Sequence, residues 1–147
     1  MVKLNPYVNF KGNCEEAFNF YKSILGGDFT YIGRFKDMPA ENKHDPADAE
    51  KIMHIGLPLG GGSVLMGSDV PTAYEEHFVA GTNISLTLSP ENEEEARRVF
   101  EGLSQGGQVT MPMEKTFWGS LFGMLTDKYG INWMVDYEIP GANQMSQ

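Results

Sequence analysis

The chain has 147 residues, of which 41% are hydrophobic and 21% are charged, a size and composition typical of one globular domain. Eleven lysines and arginines against twenty aspartates and glutamates give a net charge of −9, which disfavours nucleic-acid binding and attachment to an anionic membrane. The single cysteine, Cys14, excludes an intrachain disulfide and zinc sites that need several cysteines.

The beginning of the chain lacks the apolar segment of a secretory signal. No stretch approaches the roughly 18 consecutive apolar residues that a membrane-spanning helix needs. We therefore expect a cytoplasmic protein with no membrane partner, built as a single domain over residues 1–147.

The first half of the chain predicts one helix among four strands. Alternating residues predict a strand at 5–11, and Asn13 with Glu16 has the spacing of a capping box that begins a helix. Cys14 lies on the apolar stripe of this helix, where we expect a buried side chain rather than a nucleophile. The helix is expected to end at Gly26. Further strands are predicted at 28–36, 52–58 and 63–69.

The second half of the chain repeats this order of elements. Residues 82–88 alternate as a strand, after which Ser89 is predicted to cap a helix that has Pro90 at its first position. Trp133 and Val135 are predicted to face the helix layer of the sheet. The other strands are predicted at 108–113, 117–126 and 131–137.

The order strand–helix–strand–strand–strand therefore occurs twice. Module one covers about residues 4–69 and module two about residues 81–137, so we predict an α+β fold of two βαβββ modules. Each module has one helix, which covers one face of its sheet. The opposite face needs another cover, which is either the other module, a partner chain or a ligand.

This order of elements resembles the vicinal oxygen chelate superfamily, which includes glyoxalase I, bleomycin-resistance proteins and extradiol dioxygenases. Three segments are similar to its PhnB-like branch, often labelled 3-demethylubiquinone-9 3-methyltransferase: PYVNFKGNCEEAFNFYKSILGG, LMGSD at 65–69, and TFWGSLFGMLTDKYGINWMV at 116–135. The resemblance covers roughly residues 4–137. It implies a glyoxalase-like fold in which the modules form a U-shaped mixed sheet around a cavity, and it implies a homodimer.

The resemblance also indicates where a metal would be bound. In metal-dependent members each module supplies two ligands, usually His, Gln or Glu, to one divalent ion. Carried over one by one, these positions fall on Tyr7, Met66, Asn83 and Met134. None of them is the imidazole or carboxylate that such ions prefer. We therefore predict that the cavity is kept while the metal is lost, and that the protein has no cofactor; a divalent metal is the disfavoured alternative.

Several side chains are candidates for the lining of this cavity. They are Tyr7, Asn9, His54, Met66, Asn83, Ser85, Trp118 and Met134. For the polar strand residues, the alternative is a solvated sheet face. For Trp118 the alternative is a place in the core, and for His54 it is a hydrogen-bonded structural role instead of general acid or base catalysis.

The methyltransferase label has a physical requirement that the sequence does not meet. A methyltransferase of the usual type needs a glycine-rich loop between a strand and a helix to hold its cofactor. The only glycine-rich run, 60–62, falls in a predicted hairpin turn between two strands. Methyl transfer is therefore not the function that we expect.

Three functional hypotheses remain. The first is a metal-free protein that binds an unidentified small molecule, or an enzyme of unassigned reaction and unassigned catalytic residues. The second is a metal-dependent lyase, isomerase or dioxygenase whose ligands come from unexpected positions such as His54 or His77. The third is a bleomycin-resistance-like protein that sequesters an aromatic antibiotic-like compound at a dimer cleft.

Overall fold

A computed structural model of the protein describes residues 1–141. The chain forms two compact units, Met1–Val79 and Ala80–Gln147, which contain the predicted modules one and two. No helix within the described residues is long and apolar enough to cross a membrane.

The first unit contains one long helix and a four-stranded sheet. Its elements are β1 (Tyr7–Phe10), α1 (Cys14–Leu25), β2 (Tyr31–Arg34), β3 (Ile52–Gly60) and β4 (Ser63–Asp69). The strands lie in the order β1-β4-β3-β2. Because β1 is parallel to β4 and the other neighbours are antiparallel, the sheet is mixed. Three short 3-10 helices lie in the connections, at Phe35–Asp37, Pro46–Asp48 and Thr72–His77.

The second unit has the same topology. Its elements are β5 (Leu86–Leu88), α2 (Glu93–Ser104), β6 (Gln108–Lys115), β7 (Ser120–Thr126) and β8 (Asn132–Glu138). The strands lie in the order β5-β8-β7-β6, with β5 parallel to β8 and the remaining pairs antiparallel. The prediction of two βαβββ modules in an α+β fold is therefore confirmed.

In each unit a glycine of the sheet leaves room for a phenylalanine ring of the helix. A Cβ built on Gly67 of β4 would stand 2.7 Å from Cε1 of Phe18 on α1. One built on Gly123 of β7 would stand 2.6 Å from Cε1 of Phe100 on α2. Since close-packed interiors do not accommodate such separations, any side chain at these two positions would push the helix away from the sheet.

Strand alternation divides each sheet into two faces. Ile55 and Leu65 are buried beneath α1, and Trp133 and Val135 are buried on the helix side of the second sheet, as predicted. Cys14 is also fully buried, as predicted. We call the side of each sheet opposite its own helix the helix-free face.

The N-terminus of α1 is capped from a distant strand. Asn13 stands at the N-cap position, but its side chain makes no capping hydrogen bond, so the predicted capping box is wrong. Instead, Oδ1 of Asp69 accepts hydrogen bonds from the backbone N–H groups of Gly12 at 3.1 Å and Cys14 at 2.9 Å. Its Oδ2 accepts from the backbone N–H of Ile52 at 2.8 Å. One buried carboxylate thus joins the ends of α1, β3 and β4.

The start of α2 also differs from the prediction. The helix begins at Glu93, so Ser89 and Pro90 lie before it rather than at its first positions. Asn92 is the cap, and its side-chain oxygen accepts a hydrogen bond from the backbone N–H of Glu95 at 2.8 Å. This is the interaction that an N-cap residue normally makes with the third helical residue.

The opening strand of the second module is shorter than predicted. Of the range 82–88, only the last 3 residues form β5, so Asn83 and Ser85 lie before the strand. The carbonyl of Ile84 accepts a hydrogen bond from the side chain of Asn132 at 3.4 Å instead of joining the strand ladder. Ile84 is accordingly 73% exposed, although its place in the alternating pattern is apolar.

A second buried carboxylate, Asp48, holds the connection before β3 against the connection after β4. Asp48 is 2% exposed. It accepts hydrogen bonds from the backbone N–H and the hydroxyl of Thr72, and it pairs with Nζ of Lys51 at 2.8 Å. Burial alone would raise the pKa of Asp48, but the hydrogen bonds from Lys51 and Thr72 outweigh burial and lower the pKa to about 2.

We expect Asp69→Ala to destabilise the first unit strongly. The substitution leaves three backbone N–H groups without their acceptor, and each buried, unsatisfied donor costs about 1–3 kcal/mol. Urea unfolding should show a loss of about 3 kcal/mol or more. The matched control is Asp45→Ala, which removes a single cap to the N–H of Ala47 on the surface and should cost about 1 kcal/mol. Equal losses in the two variants would contradict the role given to Asp69.

We expect Asp48 to make the first unit sensitive to acid. Folding lowers its pKa from 3.8 to about 2, so between these values the folded state binds fewer protons than the unfolded state. The stabilisation is complete above the unfolded pKa and falls by up to about 2 kcal/mol as the pH drops through the folded pKa. In urea unfolding at a series of pH values, the advantage of the wild type over Asp48→Asn should shrink across this interval. A constant advantage would show that the carboxylate is not the cause.

Candidate functional site

The helix-free face of the first sheet carries a group of aromatic residues. The hydroxyl of Tyr7 lies 3.2 Å from Nδ1 of His54, within hydrogen-bond distance. The ring centroids of Tyr7 and Tyr31 lie 5.6 Å and 5.5 Å from that of His54. The histidine is therefore flanked by two tyrosines, and both of them are exposed. Among residues 1–141, no carboxylate is hydrogen-bonded to the His54 ring.

Met66 completes this part of the face. It lies directly beside Tyr7, because these two residues are partners in the parallel pair of β1 and β4. Two positions further along the same strands, the hydroxyl of Ser68 lies 3.1 Å from Oδ1 of Asn9 on the surface. The structure thus brings Tyr7, Asn9, His54 and Met66 to one face. Alternation in the sequence predicts this face for Tyr7 and Asn9.

The helix-free face of the second sheet carries a row of methionines. Met111, Met124 and Met134 are successive partners across β6, β7 and β8. Met124 and Met134 project from the same face, and Met111 pairs with Met124 between two register shifts of β6. Thr87 is the partner of Met134 on β5, and its hydroxyl lies 3.7 Å from the Met134 sulfur. Methionine side chains are flexible and polarisable, so this row can adapt its shape to an apolar group.

An acidic and aromatic row runs beside the methionines. Phe122 of β7 is the partner of Glu114 on one side and of Asp136 on the other. The ring of Trp118 lies 6.3 Å from that of Phe122 and 5.0 Å from that of Phe117. Trp118 is 40% exposed and Phe117 is 83% exposed, so this tryptophan is not a core residue.

Asp136 differs from the other carboxylates in this row. Its Oδ1 is shielded from solvent and has no hydrogen-bond partner among the described residues. An unpaired polar atom that is shielded from water is unfavourable and is rare in folded proteins. The position is therefore a candidate for contact with a ligand.

The sequence places two candidates, Asn83 and Ser85, in a strand that does not include them. The predicted opening strand of module two covers 82–88, and the resemblance puts the third ligand position at Asn83. In the structure β5 begins at Leu86, and the residue that pairs with Met134 is Thr87. Asn83 and Ser85 precede the strand and therefore do not take part in the helix-free face of the ladder.

Five further residues of these faces were not predicted as site residues. They are Tyr31, Met111, Phe122, Met124 and Asp136. The signal for Asp136 was present in the sequence, since it alternates with the buried residues Trp133 and Val135 and so shares a face with Met134. The partners of Tyr31 and Phe122 depend on strand register, which single-residue alternation does not supply.

The donor groups at the expected metal positions do not suit a divalent ion. Tyr7 and Met66 stand together in the first unit, and Thr87 and Met134 stand together in the second. Thioethers and neutral hydroxyls are poor ligands for the hard or borderline ions that imidazole and carboxylate bind. Within residues 1–141, no group of 3 or more His, Cys, Asp or Glu side chains is placed to hold a metal ion.

The remaining nucleophile and histidine candidates are a buried thiol and an exposed imidazole. Burial, with a smaller contribution from the nearby charge of Asp69, raises the pKa of the Cys14 thiol far above its ordinary value. Cys14 is therefore a structural residue rather than a nucleophile. His77 lies 3.8 Å from a carboxylate oxygen of Glu76, and both side chains are exposed.

Comparison with known proteins gives a consistent result along nearly the whole chain. Residues 2–136 match the family model described as 3-demethylubiquinone-9 3-methyltransferase. The chain is 28% identical over 143 residues to protein YjdN of Escherichia coli, and this similarity covers 92% of the chain and 95% of YjdN.

Two solved structures are similar in both sequence and fold. Protein PA1353 from Pseudomonas aeruginosa is 38% identical with a TM-score of 0.84, over 95% of this chain and 99% of PA1353. The PhnB protein from Bacillus cereus, described as a 3-demethylubiquinone-9 3-methyltransferase, is 30% identical with a TM-score of 0.70, over 92% of this chain and 99% of that protein.

A more distant structure extends the likeness of the fold. A glyoxalase/bleomycin resistance protein/dioxygenase family enzyme from Burkholderia phytofirmans has a TM-score of 0.60 at 16% identity, over 90% of this chain and 97% of that enzyme. At this identity the similarity concerns the fold alone. It confirms the glyoxalase-like, two-module α+β fold that the sequence predicts.

Proposed function

Since the chain belongs to the 3-demethylubiquinone-9 3-methyltransferase family, which is PhnB-like and glyoxalase-related, we propose that it binds a small organic molecule on the helix-free faces of its sheets. The proposal includes a homodimer and a cytoplasmic location, and it requires no metal ion. It assigns no reaction, because the side chains of these faces form no recognised catalytic constellation.

The observation that carries this proposal is the chemical character of the two helix-free faces. A sheet face that only meets water normally carries polar residues. Here the first face presents Tyr7, Tyr31 and Met66, and the second presents a row of three methionines beside Phe122. Exposed apolar and aromatic groups with a few polar atoms among them are typical of small-molecule binding surfaces.

The absence of a metal from the proposal rests on donor chemistry. By the resemblance, the superfamily's ligand positions fall on Tyr7 and Met66 in the first unit and on Asn83 and Met134 in the second, where Thr87 is the strand partner of Met134. None of these supplies the imidazole nitrogen or carboxylate oxygen that Zn, Ni, Mn or Fe binds well. We therefore derive no step through a metal-bound group.

Methyl transfer is not part of the proposal, although it stands in the family's description. The glycine-rich run occupies the turn between β3 and β4, and Gly60, Gly61 and Gly62 all have positive φ angles. These angles suit a tight hairpin turn. A methyl-donor nucleotide of the usual type needs its glycines at a strand-to-helix junction instead.

A second candidate function is sequestration of a planar aromatic compound without turnover. The half-exposed ring of Trp118, with Phe122 beside it at 6.3 Å, favours this candidate. Aromatic rings stack against flat ligands with a well-defined geometry. Sequestration requires a saturable site near Trp118, and small-molecule binding on the helix-free face of the second sheet predicts one there as well, so the two functions share their first test.

We expect the protein, purified without chelators, to contain only traces of transition metal. The measurement is elemental analysis for Zn, Ni, Mn and Fe, made on the wild type and on His54→Ala and His77→Ala. His44→Ala is measured beside them, because His44 lies near Asp45, Asp48 and Glu50 in a polar loop and is the third histidine that could bind a metal. A stoichiometric metal that disappears in any of these variants would overturn the metal-free proposal in favour of a metal-dependent enzyme.

We expect planar aromatic compounds to quench part of the tryptophan fluorescence in a saturable manner. The protein has two tryptophans, and only Trp118 is exposed, since Trp133 is 1% exposed and donates a hydrogen bond to Asp127. Trp118→Phe should abolish the response while the emission of Trp133 reports an intact fold. A flat response of the wild type across a broad panel would count against both functions.

A further inference from the structure

Asp136 is the feature from which a more specific ligand can be inferred. Its Oδ1 is shielded from water and has no hydrogen-bond partner in residues 1–141, although the side chain as a whole is only half-buried. A partly desolvated carboxylate without a counter-charge is unfavourable in the free protein. It would gain stabilisation from a cation placed beside it.

The neighbours of Asp136 favour a cation of organic character. Phe122 is its direct partner on β7, and the ring of Trp118 stands 6.3 Å from that of Phe122. The faces of aromatic rings attract positive charge, and most strongly where water is partly excluded. A protonated amine near Asp136 would thus meet a carboxylate and aromatic rings together.

The rest of the helix-free face has a charge and a surface that suit an organic cation. The strand positions that share this face with Asp136 include the carboxylates of Glu114 and Glu138 and no lysine or arginine. Met134 precedes Asp136 by one step on the same face of β8, and Met124 lies beside it. The face therefore offers an adaptable apolar surface next to an acidic end.

From this arrangement we propose that the helix-free face of the second sheet binds an amphipathic organic cation, in which an aromatic or apolar body carries a protonated amine. The amine lies at Asp136 beside Phe122 and Trp118, and the body lies along the methionine row. This inference rests on the proposed function and deepens it, because it names the charge and class of the small molecule.

The test compares three probes that share one ring system and differ in charge. They are naphthylmethylammonium, naphthylmethanol and naphthoate, titrated into the full chain at neutral pH by calorimetry. We expect the cation to bind about tenfold more tightly than the neutral alcohol, a difference of about 1.4 kcal/mol. The carboxylate probe should bind more weakly than the alcohol, because it meets like charge.

Asp136→Asn is the decisive variant, and Glu101→Gln is its matched control. Glu101 lies on α2, on the opposite side of the second sheet, and it is exposed. Both substitutions remove one negative charge from the protein, so a difference between them cannot come from net charge. We expect Asp136→Asn to bring the cation-to-alcohol preference close to one and to leave the affinity for the alcohol unchanged. The control should keep the preference.

Thermal unfolding of the same variants separates binding from structure. Because Oδ1 of Asp136 is shielded and has no hydrogen-bond partner among the described residues, replacing the carboxylate with a neutral amide should not lower the melting temperature. A large destabilisation by Asp136→Asn would show that the carboxylate has a structural partner. In that case the proposal would be overturned.

The outcomes also distinguish this inference from the proposed function. Equal affinity for the three probes, or an unchanged preference in Asp136→Asn, would overturn the inference and leave small-molecule binding intact. If none of the three probes binds, the inference is overturned as well. The fluorescence response to the broader aromatic panel then decides the proposed function separately.

Discussion

In each unit, a phenylalanine ring of the helix packs against a glycine of the sheet. This contact determines which side chains of the sheet lie under the helix and which lie on the helix-free face. Phe18 lies over Gly67 and Phe100 lies over Gly123, with no room for a side chain at either glycine. Because successive strand residues point to opposite faces, this contact assigns every neighbouring position to the core or to the helix-free face. A shift of one residue would bury Met66 and expose its apolar neighbours.

Besides the packing of each helix on its sheet, buried carboxylates hold the ends of the elements together. Asp69 binds the start of α1 to the end of β4 and the start of β3, while in the second unit Asp127 accepts a hydrogen bond from the buried indole of Trp133 at 2.8 Å. The carboxylate oxygens of Asp69 and Asp127 already accept hydrogen bonds from backbone and indole N–H groups, so we do not assign them to ligand binding. Asp136 stands apart from them because no described donor satisfies its shielded oxygen.

The sequence was sufficient wherever periodicity alone decides the outcome. The order of elements, the burial of Cys14 and the inward direction of Trp133 and Val135 all follow from alternation or helical spacing, and the structure confirms them. The same rule predicts the helix-free face for Tyr7 and Asn9. Alternation does not predict which residues are in contact on that face. The contact of Tyr31 with His54, for example, depends on the register of β2 against β3.

The predictions were wrong where the local structure depends on a residue far away in the sequence or on whether a strand partner is present. The cap of α1 comes from Asp69, which is 55 positions away from Cys14, and no local spacing reveals it. Asn83 alternates correctly for a strand, but it precedes the short ladder between β5 and β8. An alternating sequence is compatible with a strand, but the segment forms a strand only where a neighbouring strand pairs with it.

In the second module, the acid of the helix-free face does not stand at the ligand position that the resemblance indicates. The resemblance would place a carboxylate ligand at Met134, but the acid of this strand face is Asp136, two residues further along. On a strand this is a displacement of about 6–7 Å, which is too far for Asp136 to replace a ligand in a coordination shell about 2 Å in radius. Among the described residues, Asp136 belongs to no group of three His, Cys, Asp or Glu side chains that could hold a metal ion, yet beside Phe122 it suits a charge carried on an organic group. The thioether that replaces the ligand then becomes part of the apolar surface on which such a molecule would rest.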